Sequence, residues 1–222
     1  MLNSGGGPEQ AVTTERHGDV ALLRMGAGEN RFNRVSIDAW HSALDALEPI
    51  EGPFALVTTG AEKFYCNGLD LDWLQEEGAS DKSFLSAVER LLIRILDFPA
   101  VTVAAVNGHA FAAGAMLATA HDIVIMREDR GFWCLPEVDL GLPLTSTMFE
   151  VVAAHLPRST LRESLLTGHR YPGSEALSAG IAHELASEDS VVARAMERAL
   201  DLAQKDRRVV REHKRLMRLQ SP

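Results

Sequence analysis

Residues 100–108 read AVTVAAVNG, an unbroken apolar run closed by glycine. A strand with one wet face alternates polar and apolar side chains, whereas a continuous apolar strand is buried on both faces and needs helices above and below it. The flanking sequence supplies them. Val20–Met25 reads as a strand stopped by Gly26 and Gly28. A helix follows from Ser36, which can cap it, with Ile37, Trp40, Leu44 and Leu47 at helical spacing and Pro49 beyond. FALVTTG, residues 54–60, is a second apolar strand, and Phe84, Val88, Leu91, Leu92 and Ile95 mark a helix over 83–97 that Pro99 ends. HAFAAGAMLATAHD turns into a helix, DIVIM (122–126) is the next strand, and from Ser146 the chain reads helical in pieces divided at Pro157–Arg158 and at Gly168–Gly173. Strands alternating with helices imply an α/β fold of stacked βαβ units with a largely parallel sheet and a helical C-terminal part. The reading divides the chain into a flexible lead-in over 1–12, a core over 13–186 and a C-terminal helical segment over 187–222.

With 222 residues, 46% of them hydrophobic and 24% charged, the chain can bury a sizeable core. Its 22 Lys and Arg against 31 Asp and Glu give a net charge of −9, which argues against non-specific nucleic-acid binding. The exception is the tail, where Lys205–Arg218 is basic, read as a solvated helix face or as a contact for a polyanionic ligand. No apolar run reaches about 18 residues, so no membrane span is expected. Two cysteines, Cys66 and Cys134, suit core packing in a reducing compartment. MLNSGGGPEQ does not read as a secretory signal, and the closing LQSP is no peroxisomal address, which together set a cytoplasmic expectation. GxSxG, a P-loop, GxGxxG after a strand and HExxH are all missing. His109 and His121 lack companion ligands, so no metal is expected.

Two junctions of strand, turn and helix remain. In FALVTTGAEKFYCNGLDLDWL, Gly68 permits a backbone conformation other residues resist, and Asp70 stands where a carboxylate caps a helix. In VTVAAVNGHAFAAGAMLA, small residues after a buried strand let a ligand approach the backbone. First-turn amides of a helix lack internal partners and carry the positive end of its dipole. One amide from each junction, converging, would make an oxyanion hole.

In order, FYCNGLD, VNGHAFAAGAMLA, HD, LPEVDLGL and LTGHRYPGSEALSAGIAHEL resemble the crotonase (enoyl-CoA hydratase/isomerase) superfamily, and most closely its Δ3,Δ2-enoyl-CoA isomerase-like branch, over about residues 54–186. The resemblance implies a crotonase-like ββα superhelix acting on acyl-CoA thioesters. It implies oxyanion donors at the amides of Leu69 and Ala113, the latter where relatives usually carry glycine. It puts Gly68, Asp70 and Gly114 around the substrate and makes Met116, Leu140 and Leu142 apolar walls for the acyl chain. Asp70 and Asp139 suit structural caps better than catalysts.

The same resemblance discriminates between reactions. Hydratases divide the work between two glutamates; the first falls on Met116, which cannot transfer a proton, and the second on Glu137, which is retained. A further acidic position of dienoyl-CoA isomerases falls on Thr145. One carboxylate suffices to carry a proton from C2 to C4, so the pattern favours moving a double bond from C3 to C2. A hydratase or another crotonase-type reaction, and a non-catalytic acyl-CoA-binding scaffold, are the alternatives. The resemblance further implies a homotrimer or dimer of trimers, no cofactor beyond the coenzyme A of the substrate, and Lys214 or Arg215 as contacts for the CoA phosphates, while the acidic charge and the missing apolar span argue against a nucleic-acid or membrane partner.

Overall fold

The computed structural model describes residues 11–26, 28–78 and 81–219; the rest of the expected lead-in lies outside them. Residue 12 already belongs to a strand. β1 (Val12–His17) forms a hairpin with β2 (Val20–Met25) around Gly18, whose φ of 61° a two-residue turn requires. Then come α1 (Arg34–Leu47), β3 (Ala55–Thr59), β4 (Phe64–Cys66), α2 (Leu71–Glu76), α3 (Phe84–Leu96), β5 (Val101–Val106) and β6 (His109–Phe111). They are followed by α4 (Ala113–Thr119), β7 (Ile123–Arg127), β8 (Trp133–Cys134), α5 (Glu137–Leu140), α6 (Ser146–His155), α7 (Arg158–Thr167) and α8 (Gly173–Ser178). β9 (Glu184–Ala186), α9 (Val191–Ala203) and α10 (Arg207–Leu219) complete the described chain.

The α/β expectation holds. Among the described residues the larger sheet runs β1-β2-β3-β5-β7-β9, parallel throughout except for the first hairpin. Its strands send alternate residues to opposite faces, and both faces are dry. On one, Ala21, Leu23, Leu56 and Ala104 join the main core beneath α1, α3 and α4. On the other, Val20, Leu22, Val57, Val103 and Ala105 meet α9. Ala195, Ala199 and Ala203 repeat every four residues along that helix, so a stripe without bulk lets it lie close on the sheet.

Four local readings are corrected. α1 is capped by Asn33, not Ser36: the Ser36 amide donates to the Asn33 side chain (3.1 Å), and the Asn33 amide donates to Ser36 Oγ (2.9 Å), a reciprocal capping box. β1 and β9, at the two sheet edges, were not expected. The two junctions do not follow β3 and β5 directly. Each passes first through a strand of a second, three-stranded parallel sheet, β4-β6-β8, whose members are too short to show a period.

The fourth is Lys214, buried in a tail helix that is otherwise mostly exposed, as a solvated face would be. Lys214 is 7% exposed, and its ammonium donates to the carbonyls of Phe98 (3.1 Å) and Ala100 (2.9 Å) and pairs with Asp122 at 2.7 Å. Arg215 pairs with Glu212 at 2.7 Å, Arg218 binds Asp97 and Glu150, and Arg207 donates to the carbonyls of Pro99 and Ile50. Lys214 and Arg215 are thus engaged within the chain, and the basic helix fastens itself to the end of α3 and the start of β5. Breaking a buried pair strands the remaining charge. Lys214→Met is expected to lower the unfolding free energy by about 3 kcal/mol, read from urea denaturation; a loss below about 0.5 kcal/mol would show the pair to be dispensable.

Candidate active site

The second sheet sets the site. Its strands are parallel, with a bulge between Phe64 and Cys66; Cys66 lies beside Ala110 and Phe111 beside Cys134, so the three end nearly level. Just past the end of each strand stands one of the expected residues: Leu69 after β4, Ala113 after β6 and Glu137 after β8. The Ala112 amide donates to the Cys134 carbonyl at 3.0 Å, which fixes the β6 exit beside the β8 exit. Three residues then lead to Glu137, a span of at most about 10 Å. Parallel strands that end together commonly leave their functional residues at the carboxyl edge.

Two glycines allow the first two exits to touch. A Cβ on Gly114 would lie 2.1 Å from the Cys66 carbonyl oxygen, so only a bare Cα lets α4 begin against β4. Gly68 has φ 80°, and a Cβ there would stand 2.9 Å from Ala112 Cβ and 3.3 Å from the Ala113 amide nitrogen. The loop 67–70 is laced to residues 29–33: Asn67 donates to the Glu29 carbonyl (3.0 Å), Phe32 to that of Gly68 (2.8 Å) and Asp70 to that of Phe32 (2.9 Å). This is a parallel bridge between Phe32 and Leu69, so the Leu69 amide points away from Phe32. Neither that amide nor that of Ala113, in the first turn of α4, has a partner among the described residues.

The Ala113 amide is aimed by a strained neighbour. Ala112 holds φ 51° and ψ −125°, a conformation that costs an alanine about 1–3 kcal/mol and that clusters at functional sites. Sequence reasoning missed Ala112, because the strain belongs to a backbone angle at a residue whose type does not announce it.

Glu137 opens the short helix α5 after Pro136, and Gly141 in the left-handed region closes it. Its Oε2 is buried and has no hydrogen-bond partner among the described residues. Burial away from water raises its pKa from 4.5 to about 7. It lines an open cleft of about 420 Å³ with Val138, Gly141, Leu142, Pro143, Leu144 and Leu165, and is the one ionisable side chain in that lining.

The other named residues divide. Leu142 lines the cleft, while Leu140, 51% exposed, does not. Met116, at 1% exposure, belongs to the main core. The carboxylate of Asp70 caps α2 by accepting from the Trp73 amide (3.2 Å) and also accepts from Asn33 Nδ2 (3.4 Å), a structural use that leaves no substrate role visible. Thr145 caps α6. Cys66 and Cys134 are buried thiols with pKa pushed up to about 12 and about 11 by desolvation, unsuited to nucleophilic work. A larger concavity of about 2060 Å³ runs along α10, away from Glu137, and many of its charged side chains already form ion pairs. No cluster of three or more His, Cys, Asp or Glu among the described residues is placed to hold a metal ion, and no described helix is long and apolar enough to cross a membrane.

The sequence profile of the enoyl-CoA hydratase/isomerase family matches residues 15–221. Among characterised proteins, the chain is 37% identical over 185 residues to enoyl-CoA delta isomerase 3 of Arabidopsis thaliana, covering 80% of this chain and 78% of the relative. It is 37% identical over 204 residues to the peroxisomal enoyl-CoA delta isomerase 2 of the same plant, covering 87% and 85%. An apo enoyl-CoA isomerase of Mycobacterium tuberculosis superposes with a TM-score of 0.88 at 27% identity, covering 96% of this chain and 92% of that one. A Mycobacterium marinum enoyl-CoA hydratase does so with 0.87 at 26% identity, covering 95% and 92%. The fold therefore accommodates both names, and only the site can separate them.

A raised carboxyl pKa has a consequence without any substrate. The protonated form is favoured by folding, so its stabilisation is complete below pH 4.5 and is lost as the pH climbs through 7. Glu137→Gln removes that loss. Its stability relative to the parent is expected to rise by about 2–3 kcal/mol between pH 4.5 and pH 8 in urea denaturation, and a difference flat across that window would mean the carboxyl is not desolvated.

Proposed function

The chain belongs to the enoyl-CoA hydratase/isomerase family, and from that premise we propose that it moves the double bond of a 3-enoyl-CoA to the C2 position. The observation that carries the reading is Glu137: one carboxyl with a buried oxygen unpartnered among the described residues, in an apolar cleft, three residues past the last strand of a small sheet whose other two strands lead to amides likewise unpartnered there. The thioester oxygen lies between the amides of Leu69 and Ala113. The Glu137 carboxylate takes a proton from C2, the electron pair moves toward the carbonyl, and the two amides stabilise the resulting dienolate. Donors fixed in advance of the charge they meet are worth about 2.7–4 kcal/mol each in comparable sites. The same carboxyl returns its proton at C4, the C2–C3 double bond forms, and the carboxylate is regenerated. A pKa near 7 suits both halves of that shuttle at neutral pH.

Hydration needs water activated and a proton delivered, and the first of the two hydratase acids is missing because the buried Met116 stands at its position. The reading takes an acyl-CoA thioester as ligand and a homotrimer, or a pair of trimers, as assembly. Val138 and Leu140, both half exposed on the helix that Glu137 opens, are apolar surface that a neighbouring copy would cover.

Purified protein given a 3-enoyl-CoA is expected to yield the 2-enoyl-CoA without accumulating 3-hydroxyacyl-CoA. Glu137→Gln is expected to lower that turnover at least about 100-fold. Hydroxyacyl-CoA as the main product, or near-parental turnover in the variant, would overturn the reading.

A further inference from the structure

The wall of the Glu137 cleft is a short loop, and both its ends are tied. Gly141, Leu142, Pro143 and Leu144 face the cleft. At the near end, the Leu142 amide donates to the carbonyl of Glu137 itself at 3.0 Å. At the far end stands Thr145, whose Oγ accepts from the Met148 amide (3.2 Å) and caps α6. The hydroxyl proton goes elsewhere. It is donated to Oε1 of Glu89 on α3, at 2.5 Å and across 56 residues of sequence. Charged acceptors make the shorter and stronger hydrogen bonds, and this one joins the loop to a helix whose other side is core.

We propose that Glu89 is a positioning residue for Glu137: through the Thr145 hydroxyl it latches the 141–145 loop against α3 and so holds the apolar wall that keeps water from the Glu137 carboxyl. Leu144 and Leu142 can exclude water only while the loop keeps its place, and α5, just one turn long, does not fix that place by itself. Glu89 needs no contact with substrate for this. It presents a fixed acceptor, and the core packing of Phe84, Val88, Leu91 and Leu92 holds α3 still behind it.

The inference rests on the functional reading only for its consequence in catalysis, so its test reads the Glu137 carboxyl directly. Carboxyl 13C titration of the full chain, with the Glu137 signal identified by its loss in Glu137→Gln, gives its pKa without any turnover. The charges on its own helix and on the packed α7 stay constant in the threonine variants: Asp139 on α5, Arg158, Arg162 and Glu163 on α7, and Arg170 beyond. Thr145→Val removes latch and cap without altering charge and is expected to lower the Glu137 pKa by about one unit or more. Thr145→Ser keeps both and is expected to leave it in place. Glu89→Ala removes the latch but keeps the cap and is expected to match Thr145→Val. Glu89→Gln, an uncharged side chain that still accepts, is expected to stay near the parent.

An unchanged Glu137 pKa in Thr145→Val and Glu89→Ala would overturn the latch. So would an equal fall in Glu89→Gln and Glu89→Ala, which is the mark of a plain charge effect. If Thr145→Val does not fold, the Glu89 pair decides alone. Loss of isomerase activity in the parent protein would count against the functional reading, not against the latch.

Discussion

The contact on which the site depends is between two backbones: the carbonyl of Cys66 against the bare Cα of Gly114, answered by Gly68 against Ala112 and Ala113. Backbone atoms make most of it, with the β-carbons of Ala112 and Cys66 beside them. Remove the hydrogen from either glycine and replace it by a methyl, and the exits of β4 and β6 must separate, because a carbonyl oxygen cannot yield as the tip of a flexible side chain can. The amides of Leu69 and Ala113, which have no partner among the described residues, follow directly from these exits. The strain at Ala112 fits this picture: the surroundings over-determine a backbone angle the residue would not choose, and the result is a first-turn amide aimed out of α4.

Glu137 follows the third strand of the same small sheet, β8, from which Pro136 leads it into α5. Its chemistry comes from what surrounds it. A glutamate in water would be a weak base; one whose oxygen is buried among Leu142, Leu144 and Leu165 without a hydrogen bond holds its proton near neutral pH. The molecule carries that carboxylate at a cost to its own stability above pH 7, as expected where a site is kept desolvated for function. Rigid elements bear the cost: α9 on one face of the large sheet, α3 and α4 on the other, and Lys214 fastening α10 across the end.

Much of the large sheet was readable from sequence because its strands are long enough to show their burial. AVTVAAVNG and FALVTTG carry apolar side chains on both faces, and α1 and α3 have clean 3.6-residue stripes. The edge strands were not readable: β1 is polar and mostly exposed, and β9 is three residues long. Nor was the small sheet, whose strands of three, three and two residues give no periodicity. Motifs singled out Leu69, Ala113 and Glu137 as candidates, but nothing in the sequence showed that they follow the three strands of one small sheet. The burial of Lys214 was not readable because a basic run reads the same whether its charges face solvent or the carbonyls and carboxylates of the chain. The Glu89–Thr145 pair, 56 residues apart, has no signature in a single sequence.

The most direct measurement is a crystal structure with a non-reactive acyl-CoA thioester bound. The geometry described here predicts the thioester oxygen about 2.7–3.1 Å from the amide nitrogens of both Leu69 and Ala113, with the Glu137 carboxyl over the C2–C4 face of the acyl chain. A thioester bound elsewhere, amides that diverge around it, or a Glu137 side chain turned into solvent in the complex would contradict it.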